Sequence, residues 1–267
     1  MRVREPEVVT SPGGEGTLGL PAFPSTAALP HAWSALTWEV AAFGIAARAV
    51  TVEEYRAFAD STGYPIEDSL AGDPRFSESH APAGFISWID ATSYVQWLAR
   101  ETGRPYRLVR DAEYEYAARG GLIGKRFPWG DDEPAGLADF GNPDGASLPV
   151  GSFAPNGFGL YDMSGSMWSW CEERYDEVTA EGRALMSYDE TLIRDVRHNR
   201  VCRGGSYRTA DVTALYCAHR HEDPMDSRFD CIGVRVALSL ALTPVGGHGV
   251  MRLEVLPRCG CSVASRS

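Results

Sequence analysis

Residues 203–237 open on Arg203-Gly204-Gly205-Ser206-Tyr207 and continue through Arg208-Thr209-Ala210-Asp211-Val212-Thr213-Ala214-Leu215-Tyr216-Cys217. They close on Gly233-Val234-Arg235-Val236-Ala237. The closing run alternates as a short strand does, and the paired glycines at the opening allow backbones to approach closely. Between them, from Tyr207 to Cys231, apolar patterning is sparse, and Ala218, Arg220, Pro224 and Arg228 punctuate the segment. The stretch thus has little apolar period of its own and is framed by two patterned ends.

Upstream, Thr51-Val52-Glu53-Glu54-Tyr55-Arg56-Ala57-Phe58-Ala59 predicts a helix. Thr51 can cap it, Glu54 completes a capping box, Tyr55, Phe58 and Ala59 supply an apolar face, and Gly63 stops it. A second helix is predicted from near Asp90 to Gly103, with Tyr94, Trp97 and Leu98 on one side. A third covers residues 111–119 and ends at Gly120-Gly121. Asp90 and Glu113 read as helix-capping and helix-face residues, and Trp88, Trp97, Trp129, Trp168 and Trp170 as core. From 121 to 155 periodicity disappears, as in long ordered loops. Short strands are expected at 159–163, 167–170, 200–204 and 233–237. Residues 1–35, rich in Gly, Pro, Ser and Ala, are expected to be a poorly structured lead-in, 36–240 a domain, and 241–267 a tail. The fold class that results is α+β, loop-rich, with short strands and a few helices.

Composition sets outer bounds. The 267 residues are 44% hydrophobic, and the net charge of -11 argues against a nucleic-acid partner, since phosphate binding wants clustered Lys and Arg. No apolar run approaches the roughly 18 residues of a membrane span. Met1-Arg2-Val3-Arg4-Glu5-Pro6 leads into no apolar core of a signal peptide, so a cytoplasmic setting is expected. Cys171, Cys202, Cys217, Cys231, Cys259 and Cys261 form no paired CxxC framework, which fits reduced thiols. Lys125 is the only lysine, Gln96 the only glutamine, and Asn142, Asn156 and Asn199 the only asparagines. A GC-rich genome and a thermophile's avoidance of Asn and Gln both produce this pattern. No GxSxG elbow, complete P-loop or HExxH occurs. Cys217, His219 and His221 alternate, but alternation on an irregular loop does not supply the four fixed ligands of a closed zinc site.

The order of short motifs says more than periodicity. Val50-Thr51-Val52-Glu53-Glu54-Tyr55, Ile86-Ser87-Trp88-Ile89-Asp90-Ala91 and Thr102-Gly103-Arg104-Pro105-Tyr106-Arg107-Leu108 come first. Ala112-Glu113-Tyr114-Glu115-Tyr116-Ala117-Ala118-Arg119-Gly120-Gly121 and Phe127-Pro128-Trp129-Gly130 follow. Pro149-Val150-Gly151-Ser152-Phe153 and Asn156-Gly157-Phe158-Gly159-Leu160-Tyr161-Asp162 then precede the two frame motifs quoted at the start. From about residue 40 to 240 the chain resembles the formylglycine-generating-enzyme (sulfatase-modifying factor) family. That resemblance implies a C-type-lectin-like fold.

The departures from the family pattern carry information too. Active members place two copper-binding, catalytic cysteines just after the Gly-Gly-Ser-aromatic motif. Counted forward, those positions hold Thr209 and Ala214; counted back from Arg220, they hold Tyr207 and Val212. A soft Cu(I) site needs thiolates, so no catalytic residue is expected. One family calcium site reads Gly165-Ser166-Met167-Trp168-Ser169-Trp170, with hydroxyls where the family has an amide and a carboxylate, poor ligands for a hard cation. The other, around Asp139, Phe140 and Asp144, is a possible calcium site or a set of turn-capping acids. No other cofactor is expected.

The segment also resembles the variable region, here about 200–236, of diversity-generating-retroelement proteins, many of which use this fold. The resemblance implies a non-catalytic protein displaying a diversified surface toward a protein or surface ligand. Tyr207, Tyr216 and Phe229 are the hot-spot candidates. Asp211, His219, His221, Asp226 and Asp230 would tune specificity, with Arg208, Thr209 and Thr213 completing the surface. The alternatives are an oxygen- or sulfur-handling enzyme of the superfamily using another site, and a catalytically inactive structural paralogue.

Overall fold

A computed structural model describes residues 3–19, 36–175, 199–245 and 250–254. The chain forms strands β1 (Val8–Ser11), β2 (Gly14–Leu18), β3 (Leu36–Val40) and β4 (Phe43–Ala46), then helices α1 (Val52–Thr62), α2 (Asp68–Gly72) and α3 (Trp88–Thr102). Strand β5 (Tyr106–Leu108), helix α4 (Asp111–Arg119), and strands β6 (Trp168–Arg174) and β7 (Asn199–Arg203) follow. The chain continues with β8 (His221–Pro224), β9 (Ile232–Gly233), β10 (Val236–Ser239), β11 (Ala241–Val245) and β12 (Val250–Glu254).

The three predicted helices form where their caps place them. Thr51 and Glu54 make a reciprocal capping box on α1, and Ser87 and Asp90 do the same on α3. Glu113 closes the start of α4 by accepting from Arg110 N at 3.0 Å. Gly63, Gly103 and Gly120 end the three helices in left-handed conformation. The apolar faces of α1 and α3 meet in an aromatic cluster in which Phe58 lies 5.7 Å from Tyr94 and 5.5 Å from Trp97. Trp88 and Trp170 are fully buried, and each indole N–H finds a carbonyl, Cys171 O at 2.9 Å and Ile86 O at 2.7 Å. Trp97 and Trp168 are buried as expected; Trp129 is only half-buried, stacked on Phe127 at 5.0 Å.

Two four-stranded sheets carry the core. One runs β1-β4-β10-β5, all antiparallel, and the other β8-β7-β6-β9, in which β6 and β9 are parallel. A parallel bridge from Val109 to Cys171 links the edge beyond β5 to β6. The hairpins β2-β3 and β11-β12 are separate two-stranded units.

Three local expectations are corrected. Residues 8–18 of the supposed lead-in are strands: Val8 pairs with Ala46, and Gly16 with Trp38. Their partners lie far along the chain, so a Gly- and Ser-rich local composition hides the pairing. Residues 241–245 and 250–254 of the supposed tail form a local hairpin. Residues 20–35, 246–249 and 255–267, including Cys259 and Cys261, lie outside the described residues. The expected strand at 159–163 is instead a turn, because Gly159 (φ 81°) and Asp162 (φ 52°) are left-handed. Asn156 organises that turn, accepting from Phe158 N and Leu160 N while donating to the α4 carbonyls of Ala117 and Ala118.

Candidate functional site

Strand β7 delivers the chain to the segment through Arg203, whose side chain is fully buried. The turn that follows needs glycine. Gly204 and Gly205 have φ of 97° and 72°, and a Cβ would stand 2.4 Å from Tyr114 Oη at the first and 2.7 Å from Leu215 Cδ2 at the second. Ser206 N then donates to Thr209 Oγ1 at 3.0 Å, and Asp211 caps a single 3-10 turn, Val212–Leu215, by accepting from Thr213 N.

The scaffold grips this segment mainly by its backbone. Tyr207 N donates to Ser166 O, Asn142 N to Tyr207 O, and Gly141 N to Thr209 O, each at 2.8 Å. Cys217 N reaches Arg126 O at 2.8 Å, and Ser164 Oγ reaches Leu215 O at 2.8 Å. Arg203 Nη1 donates to the carbonyls of Cys217 and His219, both at 3.0 Å. Behind it, Asp111 and Glu115 accept from the same guanidinium at 2.5 and 3.2 Å. Residues 221–224 add to the sheet as β8, and Met225 O and Phe229 O accept from Trp88 N and Phe85 N. Phe85 itself is left-handed at φ 55°, an unusual position for a bulky residue.

The side chains divide into two groups. Arg208, Asp211, Asp226 and Phe229 are exposed, and Thr209, Thr213, Tyr216, His219 and His221 are half-buried. Tyr207 and Asp230, expected on the recognition surface, are buried at 0% and 6% exposure. Tyr207 cannot be a surface hot spot because its ring fills the interior beneath the turn. Its hydroxyl accepts from Arg75 Nη1 at 3.1 Å. Asp230 is an internal anchor: Arg75 Nη1 and Arg208 Nη1 both reach its Oδ2 at 2.6 Å. Burial works against its ionisation, but the hydrogen bonds from Arg75 and Tyr207 and the charge of Arg208 hold the carboxyl below the ordinary range.

Two further clusters flank the segment. Trp168 carries the imidazole of His221 stacked at 4.9 Å and that of His219 at 5.8 Å, and His221 Nε2 lies 3.1 Å from Asp223 Oδ2. Phe127 packs edge-on against Tyr216 at 5.2 Å. Arg228 is exposed yet locked by Asp90, which accepts from its Nε at 2.8 Å and its Nη2 at 2.9 Å. Cys217 is buried whereas His221 is half-buried, and among the described residues no group of three or more His, Cys, Asp or Glu is disposed to hold a metal. Asp139 Oδ2 accepts from Leu148 N at 2.8 Å and from Ser147 Oγ at 3.0 Å, while Phe140 is half-buried and Asp144 exposed. These hydrogen bonds on Asp139 Oδ2 close a turn. Ser166 is left-handed (φ 62°) and bonds Ser147 Oγ at 3.0 Å, and Ser169 Oγ accepts from Arg235 N.

Arg75 and Phe85 belong to this site but carry no local sequence signal, and Asp90, legible as a helix cap, carries no signal of its pairing with Arg228. They reach the site because segments more than a hundred residues upstream pack beside it.

Residues 1–240 match the model of the sulfatase-modifying factor enzyme 1-like domain. The chain belongs to that family. A formylglycine-generating enzyme of Streptomyces coelicolor is 34% identical over 188 residues, 61% of this chain and 54% of the relative. The chain thus spans about half the length of that curated relative. The structure of PvdO from Pseudomonas aeruginosa is similar with a TM-score of 0.73 and 30% identity, covering 88% of this chain and 95% of the other. Treponema denticola variable protein 1 is similar with a TM-score of 0.67 over 86% and 94% of the two chains, and its 18% identity speaks to the shared fold alone. The architecture is therefore the α+β, C-type-lectin-like fold of the formylglycine-generating-enzyme type. Curated members of the family include formylglycine-generating enzymes and a mouse protein named as an inactive paralogue. No helix among the described residues is long and apolar enough to cross a membrane.

Proposed function

We propose that this family member is a non-catalytic ligand-binding protein that presents residues 207–231 as a recognition surface, in the manner of a retroelement variable protein. The observation that supports it best is the division of labour in the segment. Its main chain is held by scaffold backbone groups and by buried Arg203, so exposed side chains such as Asp226 and Phe229 are left free of folding duties. A partner of protein or cell-surface origin is the expected ligand. Substituting Thr213, Asp226 or Phe229 should change stability by no more than about 0.5 kcal/mol. Trp88→Ala or Trp170→Ala should cost about 3–5 kcal/mol. If the two sets destabilise equally, the segment is core and the display reading fails. A reverse transcriptase gene nearby, with a near-copy of codons 200–236 differing only at adenines, would support diversification.

The 34% identity to a formylglycine-generating enzyme favours a second reading, an oxygen- or sulfur-handling enzyme using another site. It would have to work without the family's thiol pair, since the positions after Ser206 hold no cysteine before Cys217. Incubation with copper, oxygen and a Cys-x-Pro-x-Arg peptide should yield no formylglycine; product lost on Cys217→Ser would establish this second reading instead.

A further inference from the structure

We propose that the outer edge of the Arg208 guanidinium binds a carboxylate of a protein partner: an Asp, Glu or C-terminal carboxylate flanked by an apolar side chain, for which exposed Phe229, one residue from the anchor Asp230, is the partner on this chain. The inference rests on the display reading above and specifies the ligand chemistry of this chain's segment.

Arg208 is held by one nitrogen only. Its Nη1 donates to Asp230 Oδ2 at 2.6 Å, and among the described residues its Nε and Nη2 have no partner, although its side chain is only 40% exposed. Those two N–H groups lie parallel and match the two oxygens of a carboxylate, which a single ammonium could not do. The anchor behind them is rigid. Asp230 is pinned by Arg75 Nη1, and Arg75 is in turn fixed by Asp73, which takes its Nε and Nη2, and by Gly145 O and Tyr207 Oη. A guanidinium already ordered in this way loses little further freedom on binding.

Phe229, 48% exposed, is the chain neighbour of Asp230, the residue that Arg208 grips, so an exposed aromatic stands one residue from the anchor of the charge. Arginine and aromatic side chains are the usual anchors of protein interfaces. A phosphate dianion is a poorer match. It would want a second open guanidinium, and Arg75 is already closed by two carboxylates. The net charge of -11 also opposes a dianion more than a monoanion.

The test uses the full chain, nitrogen-15 labelled, and follows the arginine Nε–H resonances by NMR. The Arg208 signal is assigned by its loss in Arg208→Lys. The probes are 3-phenylpropionate, its neutral amide and phenyl phosphate. Phenylpropionate should shift the Arg208 signal saturably while the amide leaves it in place. Arg208→Gln should weaken binding, followed by the probe's own signals, about tenfold or more, and Phe229→Ser should weaken it severalfold. An equal response to the amide, tighter binding of phenyl phosphate, or binding that survives Arg208→Gln each overturns the proposal. Melting curves separate the two levels. Strong destabilisation by both substitutions sinks the display reading, whereas unchanged melting with no carboxylate preference sinks this inference alone.

Discussion

Arg203→Met keeps the volume of a fully buried side chain and removes all its donors. Among the described residues four acceptors lose a partner: Asp111 Oδ1 at 2.5 Å, Glu115 Oε2 at 3.2 Å, and the carbonyls of Cys217 and His219 at 3.0 Å each. The two carboxylates are not stranded, because Asp111 keeps Arg220 at 2.8 Å and Glu115 keeps Arg119 at 2.7 Å. That places the loss near the lower end of the about 3–5 kcal/mol typical of breaking a buried ion pair. At about 2–4 °C per kcal/mol for a domain of this size, the melting temperature should fall by about 6–12 °C. Arg203→Lys should recover only part of this, since a point charge cannot span two carbonyls and two carboxylates. Circular dichroism gives the melting temperature, and hydrogen exchange gives the local effect. Amides of residues 215–221 should exchange faster in Arg203→Met at temperatures well below melting. A melting temperature within about 2 °C of the parent, with exchange unchanged over 215–221, would refute the claim that this guanidinium shapes the segment that follows it.

Asp230→Asn should lower the melting temperature at neutral pH. The folded-state pKa of Asp230 is depressed, so its contribution is present above the unfolded value of about 3.9 and is lost as pH falls through the folded value. The gap between variant and parent should therefore narrow below about pH 4; a gap that stays constant on acidification would contradict this. Burial pushes the Cys217 thiol up to about 12 and the Cys231 thiol up to about 11, so both stay protonated at neutral pH. Peptide mapping after treatment of the native protein with iodoacetamide should find these two cysteines unmodified, and rapid labelling of either would show that it is activated. Since hydrogen bonds already satisfy Asp139, melting curves in EGTA and in excess calcium should coincide; a higher melting temperature with calcium would reveal a bound ion.

Local physics made part of this protein readable in one dimension. The helix starts at Thr51 and Ser87 and the stops at Gly63, Gly103 and Gly120 depend on contacts within a few residues, so their signals survive without a fold. The framing of residues 207–231 was readable for a similar reason: Gly204 and Gly205 mark a turn that other residues cannot make. Strands β1, β2, β11 and β12 were not readable, because four or five residues carry too little period to stand alone, and each is defined by its partner, which for β1 lies across the chain at 43–46.

The site divides along the same line. Sequence singled out the stretch, and Arg208, Asp211, Asp226 and Phe229, named from it, are exposed. Only the tertiary structure decided that Tyr207 and Asp230 turn inward, and that Arg75, from the 3-10 turn Pro74–Phe76, and Asp90, from the first turn of α3, come in to hold Arg208 (through Asp230) and Arg228. An aromatic or an acid has the same identity whether it faces water or the interior. Its role is set by which distant charge arrives beside it, and that arrival is a property of the packed chain.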